Sequence, residues 1–381
     1  MRAYKTRLDP NNKQRTFFNR CAGASRYVYN WGLAEWQRQY EAYKEDNTLK
    51  RPSRYSLCVQ FNAIKDELCP WIREVPYAVT EAAFESLGKA FDGFFRRIKA
   101  GDKKAGYPRF KSRRDAQRFR LRGVAIDNDT VKVPRLGLVR LSEDGYIPVD
   151  ANYGTYFAFS ERAGRWYISA LVTDADSIAT QLSDCVLGVD FGIKALATIS
   201  DGTVFENPHA IASGEAKIKR LSRELARRQN GSANSRETRA KLAREHARVA
   251  DVRGFALHQV SDYLTAKRKP QVIVLEDLNV GGMVSNHSLA RAISDAGFAE
   301  LRRQVEYKAA RRGIKVVIAD RWFPSSKTCS RCGCVRDTLA LAERVFVCAD
   351  CGFTVDRDLN AALNLAAYGR NRQTGGDCLG S

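Results

Sequence analysis

Four cysteines constrain this chain more tightly than any other feature. Cys329-x-x-Cys332-Gly333 and Cys348-x-x-Cys351-Gly352 form two CxxCG knuckles with 15 residues between them. Knuckles at that spacing read as a zinc ribbon, in which four thiolates around one structural Zn²⁺ hold a segment too small to build its own core. Each glycine follows its knuckle where a left-handed backbone turns N–H groups toward the sulfurs. Cys334 makes a Cys-x-Cys with Cys332, but the Gly333 register favours Cys332. Paired disulfides are the other use of four cysteines. The N-terminus, Met1-Arg2-Ala3-Tyr4-Lys5-Thr6-Arg7, has no apolar run behind it to act as a secretion signal, which argues against them. Cys21, Cys58, Cys69, Cys185 and Cys378 have no ligand spacing and are expected to be free thiols, and the four histidines have none either.

The ribbon falls inside a longer pattern. From Asp184, Val186-Leu187-Gly188-Val189-Asp190-Phe191-Gly192 reads as a buried strand. Ala195 to Ile199 follows, then the turn Asp201-Gly202, then Thr203-Val204-Phe205. Helical sequence follows, with a further helix near Phe255, Val260 and Leu264. Val272 to Leu275 is a second buried strand ending at Glu276. A helix carrying Phe298, Leu301, Val305 and Ala309 leads into Val316-Val317-Ile318. Three strands, helix, strand, helix, strand and a late helix is the RNase H-like order, in which the first and fourth strands are neighbours. Asp190 and Glu276 end those two strands, and Asp358 begins the late helix. Three clustered acids repel unless cations sit among them. Mg²⁺ takes oxygen ligands and needs few protein carboxylates, and two such ions suit phosphodiester hydrolysis. Asp356 competes for the third position, but two residues apart on a helix it and Asp358 point in different directions. Asp190-Phe191-Gly192 also imitates the kinase metal-binding triplet, yet no kinase glycine-rich loop or His-Arg-Asp accompanies it.

The first third reads as helices: Tyr29, Leu33, Trp36, Tyr40 and Tyr43 share one face, and Phe84, Leu87, Phe91, Phe94, Phe95 and Ile98 another. Between Phe119 and Thr173, short strand-like segments such as Val131-Lys132-Val133 and Trp166-Tyr167-Ile168 predict a small β-barrel or sheet.

Charge adds a partner. The formal net charge is +20, and two stretches hold most of it: Lys89 to Arg122 carries 13 Lys/Arg against 3 acids, and Glu215 to Arg253 carries 12 against 5. Clustering of this kind is the footprint of nucleic-acid binding. In the first stretch Tyr107, Phe110 and Phe119 alternate with Lys103, Lys104, Arg109, Lys111, Arg113, Arg114 and Arg118, cations for phosphates and rings for bases. The plainer reading makes those rings core. The second stretch, with Lys219, Arg220, Arg227 and Arg228, predicts a basic helical hairpin turning at Asn230 to Ser235. No apolar run approaches the ~20 residues of a membrane span.

Several segments together resemble the TnpB family, transposon-encoded RNA-guided DNA endonucleases related to compact type V CRISPR effectors. They are Ala24-Ser25-Arg26-Tyr27-Val28-Tyr29-Asn30, Gly106-Tyr107-Pro108-Arg109-Phe110-Lys111, Gly188 to Lys194, Ser294-Asp295-Ala296-Gly297, Phe323-Pro324-Ser325-Ser326, the two knuckles, and Asp356 to Asn364. The resemblance implies a multidomain α+β architecture. Residues 1–12 and 116–183 would form a β-barrel wedge domain, and 13–115 an inserted helical recognition domain. Residues 184–322 and 354–368 would form a RuvC-like nuclease domain. Residues 323–353 would be a zinc-ribbon insertion touching target nucleic acid, and 369–381 a disordered tail. It implies catalysis and Mg²⁺ binding by Asp190, Glu276 and Asp358, with Zn²⁺ on Cys329, Cys332, Cys348 and Cys351. It also implies a guide RNA from the transposon end, a double-stranded DNA target beside a short motif read by the N-terminal part, for which Arg51 to Asn62 is one candidate stretch, and a cytoplasmic protein monomeric with its RNA. A nuclease-silent RNA-guided DNA-binding protein is the alternative, which the three unsubstituted acids oppose. An actin-like ATPase or sugar kinase would need a second phosphate loop, and a transposase would join strands.

Overall fold

The computed structural model describes residues 2–113, 115–173, 181–287, 289–340 and 343–374. They fall into two compact units, Met1–Ala175 and Asp176–Ser381.

The first unit opens with β1 (Arg2–Asp9), where Tyr4, Thr6 and Leu8 point inward by strand alternation. Helix α1 (Asn12–Glu45) begins at a capping box: the Asn11 side chain accepts the Gln14 N–H at 3.0 Å and the Gln14 side chain accepts the Asn11 N–H at 2.9 Å. Helices α2 (Arg54–Leu68) and α3 (Tyr77–Lys99) follow, then β2 (Arg118–Leu121), β3 (Ala125–Ile126), β4 (Thr130–Val133), β5 (Gly137–Leu141), β6 (Phe157–Arg162) and β7 (Arg165–Val172). The strands form one antiparallel sheet in the order β2-β6-β7-β1-β5-β4-β3. Among the described residues no ladder joins β3 back to β2, so the expected barrel is an open sheet. A helix covers its inward face instead: the Phe18 ring of α1 lies 5.1–5.9 Å from those of Phe119, Phe159 and Trp166. Helices and strands thus share one core, and the expected boundaries at 12/13 and 115/116 separate element types but not cores. The helical stripes hold in part. Trp36 stacks on Phe91 at 4.0 Å, whereas Phe95 and Ile98 are exposed beyond the end of the buried face.

The second unit contains β8 (Ser183–Asp190), β9 (Ala195–Ile199), β10 (Val204–Glu206), α4 (Ala210–Arg227), α5 (Ala233–Asp262), β11 (Pro270–Leu275), α6 (Val280–Ser285), α7 (Ala290–Ala296), α8 (Phe298–Arg311), β12 (Lys315–Ile318), β13 (Val345–Val347), β14 (Thr354–Asp356) and α9 (Arg357–Thr374). Its main sheet runs β10-β9-β8-β11-β12, with β8, β11 and β12 parallel. The first and fourth strands are therefore neighbours, as the sequence order predicts. The separate helix expected near Phe255 is the continuation of α5. Leu257, Val260 and Leu264 face inward there, while Phe255 lies off that stripe and is exposed. Asp295 of α7 accepts the Ile211 N–H through both carboxylate oxygens at 3.0 and 3.1 Å, giving α4 the N-terminal partner that His209 does not provide.

The sheet is covered on both faces. Leu187, Val189, Ile273 and Leu275 pack in the core with α5 and α8, while Val186, Val272 and Val274 pack with Leu365 and Tyr368 of α9. Helix α9 rests closely on the strands. A Cβ added at Gly188 would stand 2.0 Å from the Ala362 carbonyl oxygen, and one at Gly369 would meet Val274 at 2.5 Å. The helix runs to Thr374, so residues 369–374 of the expected disordered tail are helical, and 375–381 lie outside the described residues.

Candidate active site

Strand alternation settles which way the acids face. Val186 and Gly188 point toward α9, so Asp190 does too; Val272 and Val274 do, so Glu276 follows. Leu275 pairs with Val189 in the parallel ladder, which sets Glu276 beside Asp190. Asp358 enters from the first turn of α9. Its neighbour Asp356 is engaged differently. Asp356 Oδ1 accepts the N–H groups of Asp358 at 2.9 Å and Leu359 at 3.1 Å, so Asp356 caps the helix.

The three acids sense one another. The Asp190 carboxyl is raised well above the usual carboxylate range, first by burial and then by the charges of Glu276 and Asp358. Glu276 is also raised by burial; the Ser325 hydroxyl, which donates to Glu276 Oε1 at 2.5 Å, pulls it partly back, and Asp358 raises it further. Arg357 reaches Asp358 Oδ1 at 3.2 Å. Desolvated, mutually repelling oxygens are a donor set that fits hard divalent cations.

Sequence reasoning missed the residues that hold this arrangement. Asn360 and Asn364 are one turn apart on α9 and buried. Asn364 Nδ2 donates to the carbonyls of Ser325 at 2.7 Å and Thr328 at 2.6 Å. Asn360 Nδ2 donates to Thr328 O at 2.7 Å, and its Oδ1 accepts the Ser330 N–H at 3.0 Å. The segment carrying Ser325 and Cys329 is thus fastened to the helix carrying Asp358. The i, i+4 asparagine pair in the otherwise apolar stretch Leu359 to Tyr368 was the available signal. Trp322, three residues before Ser325, is 86% exposed.

The four predicted cysteines converge. Their sulfurs lie within 4.8 Å of one another, with Cys329–Cys351 at 3.7 Å and Cys332–Cys348 at 3.6 Å. Zn–S bonds of about 2.3 Å set tetrahedrally require edges of about 3.8 Å, so the set fits one zinc ion. Gly333 and Gly352 have φ of +81° and +69°, as the knuckles require. Backbone N–H groups of Cys351 and Asp350 draw the Cys348 thiol down to about 6. Cys334 lies outside the cluster and packs on its small core with Phe346. Among the described residues no trio of carboxylates closes to that distance.

The basic residues divide. Lys103, Lys104, Arg109, Arg113 and Arg118 are exposed, and Arg114 lies outside the described residues. Lys111 is half-buried over the Tyr29 ring, 3.5 Å from its centroid. Phe119 is not available to bases: it is buried and stacks on Phe159 at 4.8 Å. In the hairpin Lys219 pairs with Glu215 at 2.5 Å and Arg228 with Glu224, whereas Arg220 and Arg227 face solvent.

Known proteins resemble the chain throughout. Residues 298–365 match the family model described as "Cas12f1-like, TNB domain", 169–287 match "Probable transposase", and 1–45 match "Helix-turn-helix domain". In this structure residues 12–45 of that last segment are one continuous helix. A protein of Streptomyces pristinaespiralis, provisionally named RNA-guided DNA endonuclease, is 36% identical over 99% of this chain and 91% of its own. The similarly named InsQ of Escherichia coli K12 is 31% identical over 97% and 92%. A Cas12f1 chain solved with single-guide RNA and target DNA superimposes with a TM-score of 0.57 at 14% identity, covering 93% of this chain and 83% of that one, which speaks to fold alone.

Proposed function

The chain belongs to the TnpB family of RNA-guided DNA endonucleases, and from that premise we propose that it hydrolyses DNA phosphodiesters at Asp190, Glu276 and Asp358. The observation that carries the assignment is the register of β8 against β11 beneath α9, which gathers three acids on one face while Asp356 is engaged as a cap. The second unit is then a RuvC-like nuclease domain with the ribbon at 323–353 as its insertion.

The residues divide the work. Asp190, Glu276 and Asp358 would hold divalent cations, the first two desolvated and repelling, with Mg²⁺ the natural occupant. Two such ions would supply an activated water and neutralise the leaving 3′ oxygen. Ser325 fixes the Glu276 carboxylate, and Asn364 holds Ser325. Arg357 holds Asp358 in place at the helix start. Cys329, Cys332, Cys348 and Cys351 bind a structural Zn²⁺ whose hairpin runs directly into the helix bearing Asp358. The first unit serves as wedge and recognition parts for guide RNA and for the motif beside the DNA target. Arg51 to Asn62 suits motif reading, since Tyr55 and Val59 on α2 are 69% and 71% exposed. The protein acts as a monomer with its RNA.

The test is plasmid cleavage by the chain purified with its co-expressed RNA, with and without Mg²⁺. Cutting that needs Mg²⁺, follows the RNA sequence and disappears in Asp190→Ala supports the assignment. Sequence-specific binding with no cutting by the wild type moves it to the nuclease-silent alternative.

A further inference from the structure

Two motifs from the N-terminal half, Ala24 to Asn30 and Gly106 to Lys111, have no part in the chemistry above, and the first unit brings them together. The Asn30 side chain pairs with the Lys111 backbone in both directions: its Nδ2 donates to Lys111 O at 2.9 Å and its Oδ1 accepts the Lys111 N–H at 2.8 Å. The loop is thereby fastened to α1, and a cavity of about 290 Å³ opens between them. That volume lies near the lower end for small-molecule sites.

Its lining is chemically specific. Arg26, Arg109, Lys111 and Arg118 face one acid, Asp115, whose carboxylate already accepts the Ser112 N–H at 2.5 Å. Arg26 is turned to Gln117 at 2.9 Å. Arg109, Lys111 and Arg118 have no ion-pair partner among the described residues. The Lys111 ammonium is pushed down to about 8 by burial and by the charges of Arg118 and Arg120, so an anion here would relieve a repulsion already present. At the rim Phe110 is 52% exposed, a large apolar ring beside cations. Cations for a phosphate and an open ring for a base describe a nucleotide unit.

We propose that this cavity seats one nucleotide of a bound single strand, its phosphate against Arg109, Lys111 and Arg118 and its base on Phe110. The proposal takes its class of partner from the RNA-guided reading. Guide RNA and target DNA share this chemistry, and the test separates them.

Binding is measured over a salt series with the full chain in the Asp190→Ala background without Mg²⁺, so a failure of the cleavage reading cannot be confused with a failure here. The probes are a single-stranded RNA and a DNA of the same mixed sequence. Arg109→Gln and Arg118→Gln are each expected to flatten the plot of log affinity against log salt by about 0.7. Phe110→Ala weakens binding roughly tenfold, and Phe110→Tyr restores it. Lys103→Gln and Lys104→Gln, exposed and outside the cavity, set the baseline for general charge loss. A Phe110 effect confined to RNA assigns the nucleotide to the guide, and one confined to DNA assigns it to the target. The proposal is overturned if Phe110→Ala binds both probes like its parent, or if the arginine variants lose no more than the lysine controls. All four arginine and phenylalanine variants alter exposed side chains, and an unchanged melting temperature confirms that they fold.

Discussion

The four thiols and the three acids stand at opposite ends of one short hairpin, β13–β14, and gather negative charge in opposite ways. The thiols come from two knuckles close in sequence, and their sulfurs close to within 4.8 Å. Two of them are exposed. The acids come from two strands and a helix far apart in sequence, and they meet only because the sheet register and α9 bring them there. At the first site a bound metal would make the local fold; at the second the fold imposes repulsion that a metal would relieve. The difference means that removing a ligand should have opposite consequences for stability at the two sites.

The largest effect falls on catalysis. Asp190→Ala is expected to lower cleavage by at least ~10³-fold, since it removes a group proposed to position the ions. Zinc content should stay at one per chain, and the melting temperature in Mg²⁺-free buffer should not fall, because a buried repelling charge is gone. A large loss of stability would show the acid to be structural. Cys329→Ser and Cys351→Ser should do the reverse: metal analysis reads less than one zinc per chain, and hydrogen exchange in 323–353 rises toward unfolded rates while the first unit stays protected. The coupled energy is large, since structural zinc contributes on the order of 10 kcal/mol to such segments. Retention of full zinc in either variant would break the four-thiolate assignment.

Gly188→Ala probes the joint between strand and helix. The added methyl would sit against the Ala362 carbonyl and the Ala366 N–H, backbone that cannot yield as a side chain would. Overpacking costs about 1–3 kcal/mol, and more where backbone must move. Denaturant unfolding should show that loss, and cleavage should fall beyond it because Asp358 rides on the displaced helix. Zinc binding should persist. Equal stability to the parent would mean that α9 does not press on β8.

Much of this was legible in the chain, and the gaps have physical causes. The knuckles were readable because metal ligands at short spacing are nearly free of tertiary context. The positions of the acids were readable because strand ends and fold order place them, and helix geometry separated Asp356 from Asp358, of which the structure shows Asp356 capping the helix. Ser325, Asn360 and Asn364 were not readable, because their roles arise from contacts with segments distant in sequence. Phe119 shows the limit of reading by composition: a basic, aromatic stretch contains core and surface alike, and only burial separates them. Strand patterning left barrel and sheet both open for a related reason, since it does not reveal that Phe18 of a helix lies on the sheet's inward face.

The smallest expected effect is also the sharpest discriminator between the two sites. Asp190 and Glu276 both have pKa values raised above ordinary values of 3.8 and 4.5. A carboxyl with a raised folded pKa supplies stability below its unfolded value and loses it as pH climbs through the folded one. Without Mg²⁺, the second unit should therefore weaken from about pH 4 upward. Asp190→Asn should flatten that slope, and saturating Mg²⁺ should remove it in the wild type. The ribbon carries the opposite sign, because thiols must lose protons to hold zinc, so acid releases the ion and loosens 323–353. Hydrogen exchange resolved by segment, followed across pH in Mg²⁺-free buffer, reads both at once. Exchange in β8 and the start of α9 should accelerate as pH rises, after correction for intrinsic rates, while exchange in the ribbon should slow. Parallel responses in the two segments would mean that the acids are not desolvated together, and the contrast between a site made by its metal and one awaiting it would be lost.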